Sequence, residues 1–288
     1  MPNFKIVTDS ACDLPREMLT QLDVVTTPLH VLFQGKNLED SVEDTQIKTV
    51  YEGLRAGEPA STSAVNPEGW ASVMEPCLAE GFDVLTIAFS SGLSTTYQSA
   101  VIAAQELQEK YPQRKIFVVD SLCAALGQGM LIWYACKKRD EGLSLEELVA
   151  WVEENKLHIR HEVTVDDLMY LKRGGRVSAA TAVVGTMLQI KPIIYVNNEG
   201  KLINIAKARG RKGSMETLVK KLVEFGEGYD NHTVFITHGD CLEEAEQLKQ
   251  MVLAKTNVKE VMIGNLGAVI GSHAGPGTLA LFFLGQKR

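Results

Sequence analysis

Apolar and polar positions along the first half of the chain fall into short alternating blocks. KIVTDS (5–10), DVLTIAFS (83–90) and KIFVVDS (115–121) are rich in β-branched residues and nearly continuous in apolar character, as parallel strands buried on both faces require. Each run closes on a polar cluster: Thr8-Asp9-Ser10, Ser90-Ser91 and Asp120-Ser121. In a shared sheet these clusters meet at the carboxyl edge, where open α/β folds form their ligand crevice. Between the runs, residues 66–81, 95–111 and 125–142 carry helical patterns. The second of these sets apolar positions at helical spacing against a polar face. Strands alternating with helices predict a layered α/β domain.

The rhythm changes near residues 155–165. Residues 144–159 read as a helix opened by a Ser144 cap with Glu147 at the third helical position, and HEVTVDD begins a new strand. KPIIYVNNEGKLINIAKARG (191–210) is two β-rich runs around Asn-Glu-Gly, a hairpin signal. A charged helix (212–226), the strand HTVFITH (232–238), a helix (242–255) and two terminal strands, VKEVMIG and LALFFLG, follow. The expected organisation is two α/β domains, 1–160 and 161–288, closing on a ligand cleft.

Composition narrows the function. The 288 residues are 45% hydrophobic and 23% charged, with a formal charge of −7. Binding along a phosphate backbone needs clustered Lys and Arg that outweigh nearby carboxylates, so nucleic acid is not an expected partner. No apolar run reaches the ~20 residues that cross a bilayer. The first residues, MPNFKIVTDS, lack the basic and apolar regions of a signal peptide, and the five cysteines are scattered singly. A cytoplasmic location is expected.

Four segments carry candidate chemistry. Ser90 to Gln98 joins a strand to a helix and gathers hydroxyls and backbone N–H groups where helix polarity favours a carboxylate or phosphate. A Thr95/Gln98 capping box explains the same residues structurally. Ser61-Thr62-Ser63 lies upstream of Asn66 and Pro67, which read as N-cap and first helical residue. In Tyr170 to Ser178 two glycines end a short helix, with Arg173 and Arg176 flanking the turn. Gly271 to Gly277, containing His273, reads as a compact Gly-rich turn between strands. His158 and His161 have H-x-x-H spacing without further zinc-ligand pairs, so no metal is expected. Nucleotide signatures are missing: 208–214 departs from the P-loop pattern, and Trp133 stands where a dinucleotide fingerprint needs its third glycine.

Taken in order, these motifs resemble the DegV family, bacterial fatty-acid-binding proteins that serve as the lipid-carrying subunit of fatty acid kinase. The resemblance rests on Thr8-Asp9-Ser10 with Asp13-Leu14, Thr62-Ser63-Ala-Val-Asn-Pro67, Ser90 through Ala100, Asp166 through Arg176, and His273-Ala-Gly-Pro-Gly277. It implies a DegV-like pair of α/β domains with a fatty acid in an apolar tunnel between them, and no cofactor. Its carboxylate would be held by Thr62, Ser63, Ser94 and Thr95, with Arg173 and His273 supporting phosphoryl transfer by a partner kinase that makes an acyl phosphate. Thr95 stands where the family usually has Gly, so a positive φ there would strain this turn. Met130, Trp133, Met187, Leu188, Ile190 and Phe282 are candidate tunnel or core residues. The basic run Lys207, Arg209, Arg211 and Lys212 is the expected kinase-docking surface, and transient membrane contact is compatible with the carrier role. The chain is therefore expected to be a carrier and not an enzyme. The alternative is a stand-alone hydrolase or phosphotransferase using Ser94 and His273, although no motif ties a base to Ser94.

Overall fold

The computed structural model describes residues 3–42, 44–177 and 190–288. In chain order the first part contains β1 (Phe4–Asp9), α1 (Arg16–Gln21), β2 (Val24–Thr27), β3 (His30–Phe33), β4 (Lys36–Glu39), α2 (Asp44–Arg55) and β5 (Ala60–Ser63). Next come α3 (Pro67–Ala79), β6 (Asp83–Ala88), α4 (Thr96–Lys110), β7 (Ile116–Asp120), α5 (Ala125–Asp140) and α6 (Leu145–Asn155). Then follow β8 (Ile159–Thr164), α7 (Leu168–Arg173), β9 (Ile190–Val196), β10 (Leu202–Arg209) and α8 (Gly210–Phe225). The last elements are β11 (Thr233–His238), α9 (Leu242–Lys255), β12 (Glu260–Asn265), α10 (Ala268–Ala274) and β13 (Leu279–Leu284).

β1, β2, β6 and β7 form a parallel sheet in the order β2-β1-β6-β7. Its central strands are buried on both faces, as their continuous apolar runs require. The polar ends do meet: Asp9 accepts from the Phe89 N–H at 2.7 Å, and Asp120 from the Ser91 N–H at 3.1 Å. A six-stranded sheet, β10-β9-β8-β13-β11-β12, occupies residues 159–284 and is antiparallel except for the β11–β12 pair. One apolar core runs between the two sheets through Ile6, Leu85, Leu126, Ile159, Phe235 and Phe282.

Local signals are realised closely. Asn66 caps α3 with Pro67 as its first residue, and Ser144 and Glu147 form a reciprocal capping box on α6. β9 and β10 pair as the expected hairpin. Two expectations are corrected. The 61–63 hydroxyls are not loop preceding a helix but part of β5, which pairs antiparallel with β3 in a small three-stranded sheet, Thr62 opposite Val31. The segment around His273 is not a plain turn: it forms α10, and only Gly275 and Gly277, at φ of 85° and 75°, make the turn into β13.

Candidate functional site

A cavity of about 480 Å³ lies between the four-stranded and six-stranded sheets, within the range of small-molecule sites. Thr62, Ser63, Ser94, Thr95 and His273 all line it, so β5, the β6–α4 loop and α10 converge at one polar end. Thr62 Oγ1 and His273 Nε2 are 2.7 Å apart. Ser94 Oγ lies 2.8 Å from Thr96 Oγ1 and accepts from the Thr96 N–H. That contact caps the start of α4, in place of the expected Thr95/Gln98 box. The Ser94 N–H closes the turn by donating to Ser90 O at 3.1 Å. Thr95 has φ −81° and ψ 4°. No positive φ is needed there, and the expected strain is absent because this negative-φ conformation is open to threonine as well as to glycine.

The arginines divide differently from expectation. Arg176, half-buried, lines the cavity; its Nε donates to Leu93 O at 3.2 Å and a terminal nitrogen donates to Gly174 O. Arg173 is exposed and stands outside the lining, its guanidinium 4.6 Å from the Tyr170 ring centre and its Nε donating to Met169 O. The reason is the helix end. Arg173 is the last residue of α7, while Gly174 and Gly175 (φ 70°) turn the chain inward before Arg176. Gly174 also lies against the Nδ1 edge of the His273 ring: a Cβ there would stand 2.3 Å from Nδ1.

Burial, assisted by the nearby Arg176 charge, pushes the His273 pKa down to about 4, so the imidazole is neutral at physiological pH. Burial also lowers the Arg176 pKa, yet from a starting point so high that the guanidinium stays charged. Among the described residues the polar end thus offers one cation, hydroxyls and a neutral imidazole. Asp13 and Asp40 secure α10 from behind, accepting from the Gly267 N–H at 3.1 Å and the Val269 N–H at 2.9 Å. Burial raises both carboxyls, Asp40 to about 6, and Asp13 is raised further by the Asp40 charge.

One side of the remaining wall is a face of the six-stranded sheet, and residues such as Leu29, Phe89, Leu171 and Val269 line the other sides. Val163 on β8 lies opposite Ile194 on β9 and Ala280 on β13, and Ala280 lies opposite Thr237 on β11. All four line the cavity. Two residues along the strands, His161 pairs with Phe282, both lining. Ile159 and Leu284, the next pair on that face, do not line it, so the His161–Phe282 row is the floor. At the other end Thr278 bonds Ala274 O beside His273. From the Thr278 level to Phe282 is about 14 Å at ~3.4 Å per residue.

Of the candidate tunnel residues, Phe282 lines the cavity. Met130 is fully buried in the core, Trp133 stacks near Phe235 with Lys137 over its ring, and Ile190 opens β9. Met187 and Leu188 lie outside the described residues. His161, in the H-x-x-H spacing, is a wall residue: Nε2 accepts from the Ala124 N–H at 3.2 Å and Nδ1 faces Ile159 O at 2.9 Å. The signal for it was the period-two row Ile159, His161, Val163, Val165. Within the basic run, Lys207, Arg209 and Lys212 are exposed. Arg211 turns inward to Glu244 at 3.2 Å and lies 3.8 Å from Asp166.

The Ser94 and His273 side chains bond to Thr96 and Thr62 respectively, an arrangement that does not couple a serine nucleophile to a base. Among the described residues no helix is long and apolar enough to cross a membrane.

A family model described as "Uncharacterised protein, DegV family" matches residues 3–286. The chain belongs to the DegV family. A DegV domain-containing protein of Clostridium perfringens is 44% identical, covering 100% of this chain and 99% of its own. Among solved structures, a DegV family protein from Thermus thermophilus described by its fatty acid binding has a TM-score of 0.88 at 34% identity, covering 99% of this chain and 100% of its own. DegV from Bacillus subtilis, described as a fatty acid binding protein, has a TM-score of 0.83 at 30% identity with the same coverage. The α/β fold of this chain is that of the solved DegV structures.

Proposed function

We propose that this chain is a cytoplasmic carrier that binds one long-chain fatty acid and presents its carboxylate to an ATP-dependent kinase for conversion to an acyl phosphate. The two α/β domains, 1–160 and 161–288, close on the acyl chain. The observation that carries the reading is the polarity of the cavity. One end gathers Thr62, Ser94, His273 and Arg176, and the remainder is lined mostly by apolar side chains such as Val163, Ile194, Ala280 and Phe282, with Thr237 and His161 among them. A buried carboxylate is costly without donors, while an acyl chain gains about 0.8 kcal/mol for each methylene removed from water. The fatty-acid-binding relatives support the same ligand.

Thr62, Ser63, Ser94 and Thr95 hold the carboxylate in this reading, with Arg176 supplying the charge. Ser63 and Thr95, more exposed than the other two, form the rim. His273 orients Thr62, and exposed Arg173, adjacent to Gly174, meets the incoming phosphoryl group. Its role there is electrostatic, since positioning and charge stabilisation dominate phosphoryl transfer. Lys207, Arg209 and Lys212 form the kinase-docking surface. The test of this second half is reconstitution: acyl phosphate should form from fatty acid and ATP when a fatty acid kinase subunit and this chain are both present. Formation that is unaffected by leaving this chain out would refute the presenting role.

A further inference from the structure

The turn of the β9–β10 hairpin belongs to the six-stranded sheet, yet it rests on the loop that leads from the four-stranded sheet to Ser94. The turn is fixed by its own side chain. Asn197 Oδ1 accepts from the Glu199 N–H at 3.0 Å and the Lys201 N–H at 2.9 Å, and the Gly200 N–H donates to Asn197 O. Gly200, at φ 70°, aims its carbonyl at Ser90, whose Oγ donates to it at 2.8 Å in a buried contact. The approach leaves no room for a side chain on either glycine. A Cβ on Gly200 would fall 2.0 Å from Ser90 Oγ, and one on Gly92 would fall 2.5 Å from Glu199 O.

Ser90 is fully buried and uses every polar atom it has. Its N–H donates to Cys123 O at 3.1 Å, and its carbonyl accepts from the N–H groups of Leu93 at 3.0 Å and Ser94 at 3.1 Å. Its hydroxyl accepts from the Gly92 N–H at 3.2 Å while donating to the hairpin. One oxygen therefore joins the hairpin to the turn that aims Ser94 into the cavity. Leu93 is held from the far side by Arg176.

We infer that Ser90 is a positioning residue for carboxylate binding, acting as the tie through which the hairpin tip sets the 90–94 turn and hence the direction of Ser94. The inference rests on the fatty-acid reading of the cavity. It makes the carboxylate end a site completed only when both sheets are in contact, because the tip and the turn come from different sheets.

Palmitate and 1-hexadecanol, which share a chain length and differ at the head, separate positioning from simple damage. Their dissociation constants are to be measured for the delipidated chain and for Ser90→Ala, with thermal unfolding as a check on folding. Palmitate affinity is expected to fall about tenfold and hexadecanol affinity to change by less than about twofold, because only the charged head uses the turn. Equal losses for both ligands, or an unchanged palmitate affinity, would overturn the inference. Should Ser90→Ala fail to fold, Gly92→Ala decides the matter, since its Cβ presses the tip off the turn while leaving the hydroxyl, and the same selective loss is expected. An unmutated chain that binds neither ligand overturns the fatty-acid reading itself. One that binds palmitate while the variants show no selective loss overturns only the role of Ser90.

Discussion

The Thr62 hydroxyl on β5 lies 2.7 Å from Nε2 of His273 on α10, so the small three-stranded sheet and the last helix meet at the polar end of the cavity. Because the imidazole is neutral, its Nε2 either accepts from Thr62 or donates to it, and the hydroxyl keeps hydrogen-bonding capacity for a ligand oxygen. Thr62→Val keeps the shape and removes that capacity. Fatty acid affinity should weaken by about 1.5–3 kcal/mol, the range for a hydrogen bond to a charged group, as read by isothermal titration calorimetry. An unchanged constant would move the carboxylate away from β5.

Arg176 and Arg173 should separate by assay. Arg176→Met removes the cation that lines the cavity and its hold on Leu93 O, and fatty acid binding should weaken by about 1.5–3 kcal/mol or more. Arg173→Ala alters an exposed side chain, so binding should change by less than about 0.5 kcal/mol while kinase-dependent acyl phosphate formation slows. Equal effects of the two variants on binding would contradict the placement of the charges.

Phe282 sets the floor with His161. Phe282→Ala should lengthen the longest acyl chain accepted, measured by competition across saturated acids of increasing length, and should lower stability by about 3–5 kcal/mol through the cavity it leaves. If the length limit stays where it is, the acyl tail ends elsewhere.

The pH dependence follows from His273, whose pKa falls from an unfolded value of about 6.5 to about 4 on folding. Between these values the unfolded chain binds the extra proton, so stability from this residue is complete above pH 6.5 and drains away as pH falls toward 4. Urea unfolding of the chain and of His273→Gln should differ in slope across that window, with the flatter profile in the variant. The buried Asp40 acts in the opposite sense. Its folded pKa of about 6 favours the protonated form, so its contribution declines as pH rises from the ordinary carboxylate range through 6. Taking the difference between the chain and the His273 variant cancels that term. Parallel profiles would mean that the imidazole titrates as it does in water.

The strands β1, β6 and β7 were legible because burial on both faces leaves an unbroken apolar run, and α3 and α6 because Asn66-Pro67 and Ser144-Glu147 are local capping chemistry. The same local rule misread β5. Ala60-Ser61-Thr62-Ser63 has no apolar face, and its pairing with β3 is a long-range fact that composition does not carry. Thr62, Ser94 and His273 were legible through the family's motifs. Arg176 was obscured by Arg173, since the positive-φ Gly175 between them decides which guanidinium points inward. His161 was obscured by a spacing that suggested a metal pair, when alternation along β8 already put it on the face of Val163. Of the buried aspartates behind α10, Asp13 was visible only as a motif residue and Asp40 not at all, because they meet Gly267 and Val269 only in the folded chain.

The central claim is that the cavity holds a fatty acid by its carboxylate and chain together. Its most direct test is organic extraction of the purified chain, followed by mass spectrometry and by reloading of the delipidated chain with a long-chain acid. The account predicts one fatty acid per chain in the extract, or saturable one-to-one reloading that Thr62→Val and Arg176→Met impair. An empty extract from a chain that also fails to reload would contradict it.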